Sequence, residues 1–150
     1  SQKYCCNLNC DYKDLLGVMK IESGINAKAR NRHSSATGLI QFIERTANSL
    51  GTTTDDLAKM SPVEQLDYVE RYLQRAKEGA FESGHRLTGG ELYALVFLPS
   101  KAENEILAQS GDKYYTVNRG LDTNNDGKIT KSELDEKVKN NHVSDNSFLA

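Results

Sequence analysis

The sequence predicts a mainly α-helical single domain with a C-terminal calcium loop of the EF-hand type. Three observations predict it. Apolar residues recur at helical spacing along the stretch Leu15-Leu16-Gly17-Val18-Met19-Lys20-Ile21-Glu22. Two capping boxes, Ser61-Pro62-Val63-Glu64 and Thr88-Gly89-Gly90-Glu91, each open an apolar segment. The run from Asp122 to Glu133 has the residue types of a calcium loop, and strand alternation is almost absent elsewhere. With 150 residues the chain is long enough to bury a core of its own. The domain is expected over residues 11–140, with 1–10 and 141–150 as peripheral tails.

Taken in order, the first helix is predicted from about Asp11 to Ser23, where Ser23-Gly24 stops it. The segment Gly24 to Ser35 is rich in Asn, Arg and Ser and has no period, so it reads as a loop. A second helix is expected from Thr37 or Gly38, carrying Leu39, Ile40, Ile43 and Ala47. The helix opened at Ser61, with Pro62 at its first position, sets Val63, Leu66, Val69, Tyr72, Leu73 and Ala76 on one face. The helix opened at Thr88 runs through Leu92 to Leu98 and is stopped by Pro99. There is no internal repeat and no low-complexity segment.

The segment Asp122-Thr123-Asn124-Asn125-Asp126-Gly127-Lys128-Ile129-Thr130-Lys131-Ser132-Glu133 has the EF-hand pattern at each diagnostic position. Asp122, Asn124 and Asp126 offer side-chain oxygens, Gly127 permits the sharp turn, and Lys128 offers its carbonyl. Glu133 closes the shell with two oxygens, and Thr130 acts through water. A calcium sensor pairs two such loops and exposes a Met-rich groove. This chain has one loop and two methionines in all, so one structural ion is expected.

Glu22 stands on the apolar stripe, three residues after Met19, four after Val18 and seven after Leu15. A carboxylate on an apolar face loses hydration, which disfavours its charged form and raises its pKa. A carboxylic acid still protonated near neutral pH is what a general acid requires. Between Glu22 and Gln41 there is no second Asp or Glu. A second carboxylate to pair with Glu22 is therefore missing from this segment.

Composition narrows the remaining classes. The net charge is −2, with 19 basic and 21 acidic residues spread along the chain, which argues against nucleic-acid binding. No apolar run approaches the ~20 residues of a membrane span, and no signal-peptide pattern is present. Nothing in the pattern indicates an oligomer. Cys5, Cys6 and Cys10 are clustered and odd in number, a poor disulfide framework, although Cys10 has either Cys5 or Cys6 within reach. His33, His85 and His142 lack paired metal-ligand spacing.

One ordered set of residues goes further. Glu22-Ser23-Gly24-Ile25-Asn26, then Ala36-Thr37-Gly38-Leu39-Ile40-Gln41-Phe42 and Thr46-Ala47, resembles the lytic transglycosylases of the lysozyme superfamily. The resemblance continues through Leu50-Gly51, Gln65-Leu66-Asp67-Tyr68-Val69, Leu92-Tyr93 and Asn118 to Asp122, so it covers roughly residues 14 to 135. It is similar to phage and phage-derived cell-wall lysins, and implies a lysozyme-like helical fold acting on peptidoglycan glycan strands in the bacterial cell-wall or periplasmic space, from a virion or after export.

The resemblance also implies a one-carboxylate route. Glu22 protonates the glycosidic oxygen between N-acetylmuramic acid and N-acetylglucosamine, then as a carboxylate takes the proton from the same sugar's C6 hydroxyl, leaving a 1,6-anhydro end. Goose-type lysozymes share the fold and hydrolyse instead, and a calcium-dependent binding module that has lost activity is a further alternative. Gln41 matches the family's sugar-contacting Gln. Asn31, Ser34 and Ser35 are interchangeable candidates for a substrate-contacting Ser. The family's Tyr beside the acid is missing, because the matching stretch reads Val96-Phe97-Leu98-Pro99-Ser100; Tyr93 or Tyr115 stands in for it, with Tyr93 preferred.

Overall fold

A computed structural model describes residues 2–143, with side chains from Cys5 onward. Eight α-helices and one small sheet are found among these residues: α1 (Gln2–Leu8), α2 (Tyr12–Ser23), α3 (Glu44–Ser49), α4 (Thr54–Leu57), α5 (Pro62–Ala80), α6 (Gly89–Phe97), β1 (Ile106–Gln109), α7 (Lys113–Val117), β2 (Lys128–Thr130) and α8 (Lys131–Asn140). The mainly helical reading holds.

The ends of α2 follow from its sequence. Asp11 caps the N-terminus by accepting from the Lys13 N–H at 2.9 Å. Gly24, at φ 66°, reverses the chain, and the N–H groups of Gly24 and Ile25 return to the Lys20 and Met19 carbonyls. Both expected capping boxes form, at Ser61/Glu64 and at Thr88/Glu91, and Thr130/Glu133 makes a third at the start of α8.

Three expectations are corrected. The second helix begins at Glu44 and not at Thr37 or Gly38. Residues Gly38 to Gln41 instead form a tight turn closed by two backbone hydrogen bonds between Thr37 and Phe42, at 2.9 and 2.8 Å. Gly38 (φ 90°) and Gln41 (φ 59°) both take left-handed conformations, which end any helical path. Leu39, Ile40 and Phe42 are buried all the same, while Ile43 is left 47% exposed. The apolar run looked helical because a tight buried turn also packs near-consecutive apolar residues inward.

The second correction concerns α5. Its buried stripe is Gln65, Leu66, Val69, Leu73 and Lys77, with Val63 off that face and exposed. The third concerns the expected 1–10 tail, whose described residues, from Gln2 onward, are part of the body. Cys5 and Leu8 are in the core, and the α1 carbonyls of Asn7 and Leu8 accept from Gln74 and from Lys77 Nζ, the latter at 2.7 Å. A short helix with four orphan carbonyls gains its partners from the longer helix it lies on. At the other end, the Nε2 of His142 lies 2.7 Å from Asp14 Oδ1, and residues 144–150 of the expected 141–150 tail lie outside the described residues.

Of the thiols, Cys10 Sγ lies 2.7 Å from Cys5 Sγ, both buried, whereas Cys6 is exposed. The Cys10 hydrogen bond and burial both push the Cys5 thiol up, so it stays protonated.

Gln65 organises the segment that will matter most. It is fully buried; its Oε1 accepts from the Leu39 N–H at 2.6 Å, and its Nε2 donates to the Ala27 and Leu57 carbonyls, each at 2.9 Å. A Cβ on Gly38 would fall on the Gln65 amide, so glycine is required there for space as well as for φ. Gln65→Leu is expected to cost about 3 kcal/mol, because three buried backbone groups lose their partner. Denaturant unfolding measures it, and a loss below ~0.5 kcal/mol would show that the amide does not hold the turn.

The C-terminal third packs back onto the first helix. β1 and β2 pair antiparallel, with Ala108 opposite Ile129 and Gln109 opposite Lys128, so the segment 110–127 is closed at its base. From β2 the chain enters α8, which lies against α6 and α2. The α6–α8 approach is close: a Cβ on Gly90 would lie 2.5 Å from the Lys131 carbonyl, and the Gly90 N–H donates to Asp135 Oδ1 at 2.9 Å.

Candidate active site

Glu22 occupies the last turn of α2 and is partly buried. Burial pushes its carboxyl up to about 7, although the charge of Lys137 on α8 works against the rise. The helix end that carries it is tied to the Gly38–Gln41 turn by its neighbour. Ser23 Oγ lies 2.9 Å from the Leu39 carbonyl and 3.1 Å from the Met19 carbonyl, and it accepts from the Asn26 N–H at 3.2 Å. Sequence reasoning gave Ser23 no role of its own; its place beside Glu22 in the motif was the available signal.

Gln41 sits at the end of that turn. Its Nε2 donates to the Gly38 carbonyl at 3.0 Å and the Ala29 carbonyl at 3.3 Å. Both amide protons thus serve the fold, and among the described residues its Oε1 has no hydrogen-bond partner. A non-glycine residue at φ 59° is held there by surrounding structure, which is common where a side chain is aimed for use.

The three interchangeable loop candidates are all exposed and all occupied. Asn31 Oδ1 accepts from the His33 N–H at 2.7 Å, and Ser34 Oγ from the Ala36 N–H at 3.1 Å. Ser35 Oγ accepts from the Glu44 N–H at 2.9 Å, at the start of α3. Each shapes its own loop backbone.

The two candidate tyrosines separate. Tyr93, on α6, is buried, and its hydroxyl is pushed up, first by burial and then by the charge of Glu22. Tyr115 is committed elsewhere: its hydroxyl donates to Asp122 Oδ2 at 2.7 Å.

A cleft of about 340 Å³ opens beside Gln41. One wall is Ile40 to Ile43 with Thr46, the other is Val96 to Pro99, and Tyr72 and Tyr114 complete it. Phe42 meets Tyr72 edge to face, and the Tyr72 hydroxyl donates to the Leu95 carbonyl at 2.7 Å, so the floor is fixed. Glu22 is not itself among the lining side chains.

The acidic loop lies between β1 and α8. Asp122, Asp126 and Glu133 each offer an oxygen within 4.8 Å of the others. The Asp122 carboxylate also accepts from the Gly127 N–H at 2.9 Å and the Asp126 N–H at 3.2 Å, and Asn124 Oδ1 accepts from the same Asp126 N–H. Burial works against its charge, yet these bonds and the Tyr115 hydroxyl keep the Asp122 carboxyl low. Lys128 stands in β2, and Gly127 has φ 83°.

Among curated proteins, no match is found for this sequence. The family described as Transglycosylase SLT domain matches residues 1–84. Its members are lytic transglycosylases that act on peptidoglycan. The matched part runs from α1 through α5 and takes in Glu22, the Gly38–Gln41 turn and Gln65; the acidic loop lies beyond it. Among the described residues, no helix is long and apolar enough to cross a membrane. More than half of the chain, including Glu22 and the turn tied to its neighbour Ser23, is thus covered by one family description, and the chain belongs to the Transglycosylase SLT domain family.

Proposed function

We propose that this chain cleaves the β-1,4 bond between N-acetylmuramic acid and N-acetylglucosamine in peptidoglycan and leaves a 1,6-anhydro-muramic end. The observation that carries the reading is Glu22, the one carboxylate of its motif, with its carboxyl raised by burial to about 7. At neutral pH a large share of it is protonated and able to give its proton to the leaving glycosidic oxygen. The carboxylate so formed then acts as base on the C6 hydroxyl of the same sugar, whose N-acetyl group steadies the positive anomeric carbon. The nucleophile is already attached, so the step gains from proximity and needs no positioned water.

Gln41 presents its free Oε1 to a sugar hydroxyl or amide N–H, and Tyr93 stands by Glu22 in the part of the missing family tyrosine. Asn31 and Ser35 shape the loop that borders the site and remain candidates for substrate contact from its exposed side. The acidic loop holds one calcium ion through Asp122, Asn124, Asp126, the Lys128 carbonyl and Glu133. Three carboxylate oxygens within 4.8 Å of one another suit oxygen ligands placed around one such ion. The ion braces the C-terminal third and takes no part in the chemistry. Action in the bacterial cell wall, as part of a phage particle or after export, goes with this reading.

Mass spectrometry of muropeptides released from purified sacculi tests it. Anhydro ends, lighter by one water than reducing ends, are expected. Reducing ends alone would make the enzyme a hydrolase of the goose-type kind, and no release at all would favour a binding module.

A further inference from the structure

The cleft beside Gln41 has a wall that the matched family region does not supply. Val96 to Pro99 and Tyr114 all follow residue 84. Tyr114 is the conspicuous member, since it lines the cleft and is 50% exposed while most large apolar side chains are buried. Its exposure does not come from a loose segment. The next residue, Tyr115, is buried and bonded to Asp122, and Asp112, just before α7, accepts from the Gln109 N–H at 3.0 Å. A short helix is therefore held from the loop side so that one aromatic ring faces the cleft.

The cleft's chemistry narrows the occupant. Its walls are mainly apolar, its polar side chains are the uncharged Gln41, Thr46 and the two tyrosines, and no Asp, Glu, Lys or Arg lines it. A neutral ligand with alternating apolar ring faces and hydroxyl or amide edges fits such a lining, whereas a charged peptide would find no partner. Pyranose rings have that character: their C–H faces lie flat on an aromatic ring, and their edges reach an amide.

We propose that Tyr114 is a substrate-contacting residue, a platform on which a sugar ring of the glycan strand stacks across the cleft from Gln41. The inference rests on the reading of this cleft as a glycan site. The C-terminal third then contributes to substrate grip as well as to bracing.

The chain contains no tryptophan, so Tyr114→Trp introduces a single fluorescent reporter at the proposed platform. Val117→Trp, on the same helix, 73% exposed and not lining the cleft, is the control. Titration with peptide-free glycan strands should shift the emission of Tyr114→Trp saturably and leave that of Val117→Trp unchanged. In the Glu22→Gln background, Tyr114→Ala should weaken strand binding about tenfold with an unchanged melting temperature, and Tyr114→Phe should bind like wild type. Binding that persists with no shift at Tyr114→Trp, or that is equal in Tyr114→Ala, overturns the platform. If strands bind and the reporter shifts but no bond is cleaved, the platform stands and the catalytic reading falls. Absence of strand binding in every variant removes the glycan cleft and the platform together.

Discussion

Glu22→Gln should abolish clearing of a purified cell-wall suspension while the fold stays intact. The substitution keeps size and hydrogen bonding but removes the proton to be transferred, so the loss should be at least ~10²-fold. Retention of more than about a tenth of wild-type clearing would end the assignment of Glu22 as the acid. Two pH signatures accompany it. The carboxyl is raised to about 7, so the protonated form is lost, and activity should fall, as pH rises through that value.

Stability moves in the same direction. The folded protein holds the Glu22 proton to higher pH than the unfolded chain does. The related stability is fully present below the ordinary glutamate range and is lost as pH rises through about 7. Glu22→Gln should therefore be the more stable protein above that pH, by about 1–3 kcal/mol, with the difference closing in acid. A variant that is inactive and also less stable at alkaline pH would indicate a structural glutamate instead.

Calcium should raise the melting temperature, and chelation should lower it. With Asp122, Asp126 and Glu133 converging, mutual repulsion disfavours the closed loop when no cation is bound. A ligand that binds the folded loop alone stabilises by RT ln(1 + [L]/Kd), roughly 2.7 kcal/mol at a hundredfold excess over Kd. For a chain of this size that is about 5–10 °C. Asp122→Ala with Glu133→Ala should remove the increment. The double variant should also start from a lower baseline, because Glu133 completes the capping box that Thr130 opens at α8 and Asp122 accepts from Tyr115.

Below the melting transition, cleavage should persist at least in part, since Glu22 and Gln41 lie on other elements. Equal melting with calcium and with chelator would refute the bracing ion. Activity that switches fully on and off with calcium at constant fold would make the loop regulatory.

The local rules needed no tertiary structure. Asp11 and Gly24 bound α2, the Ser61 and Thr88 boxes start α5 and α6, and the stripe of Leu15, Val18 and Met19 points Glu22 inward. Each depends on residues within one or two turns, so sequence spacing carries the information. The run from Thr37 to Ala47 misled because its apolar spacing suits a helix equally well. The turn is chosen by Gln65, 26 residues from the Leu39 N–H it accepts from. Likewise, nothing near Cys5 or Leu8 in sequence reveals that Lys77, 69 residues from Leu8, completes the end of α1.

The environment of Glu22 divides in the same way. Its apolar stripe is local and legible; its neighbours Lys137 and Tyr93 are not, because α8 and α6 reach α2 only when the C-terminal third folds back. Sequence by itself determined the boundaries of α2, the starts of α5 and α6, the place of Glu22 on the apolar stripe and the oxygen-rich loop, all set by near neighbours. Only the tertiary structure decided how far the acid is desolvated, which hydroxyl stands by it and which ring faces the cleft. Those depend on contacts between segments far apart in the chain, and burial is a property of the packed whole.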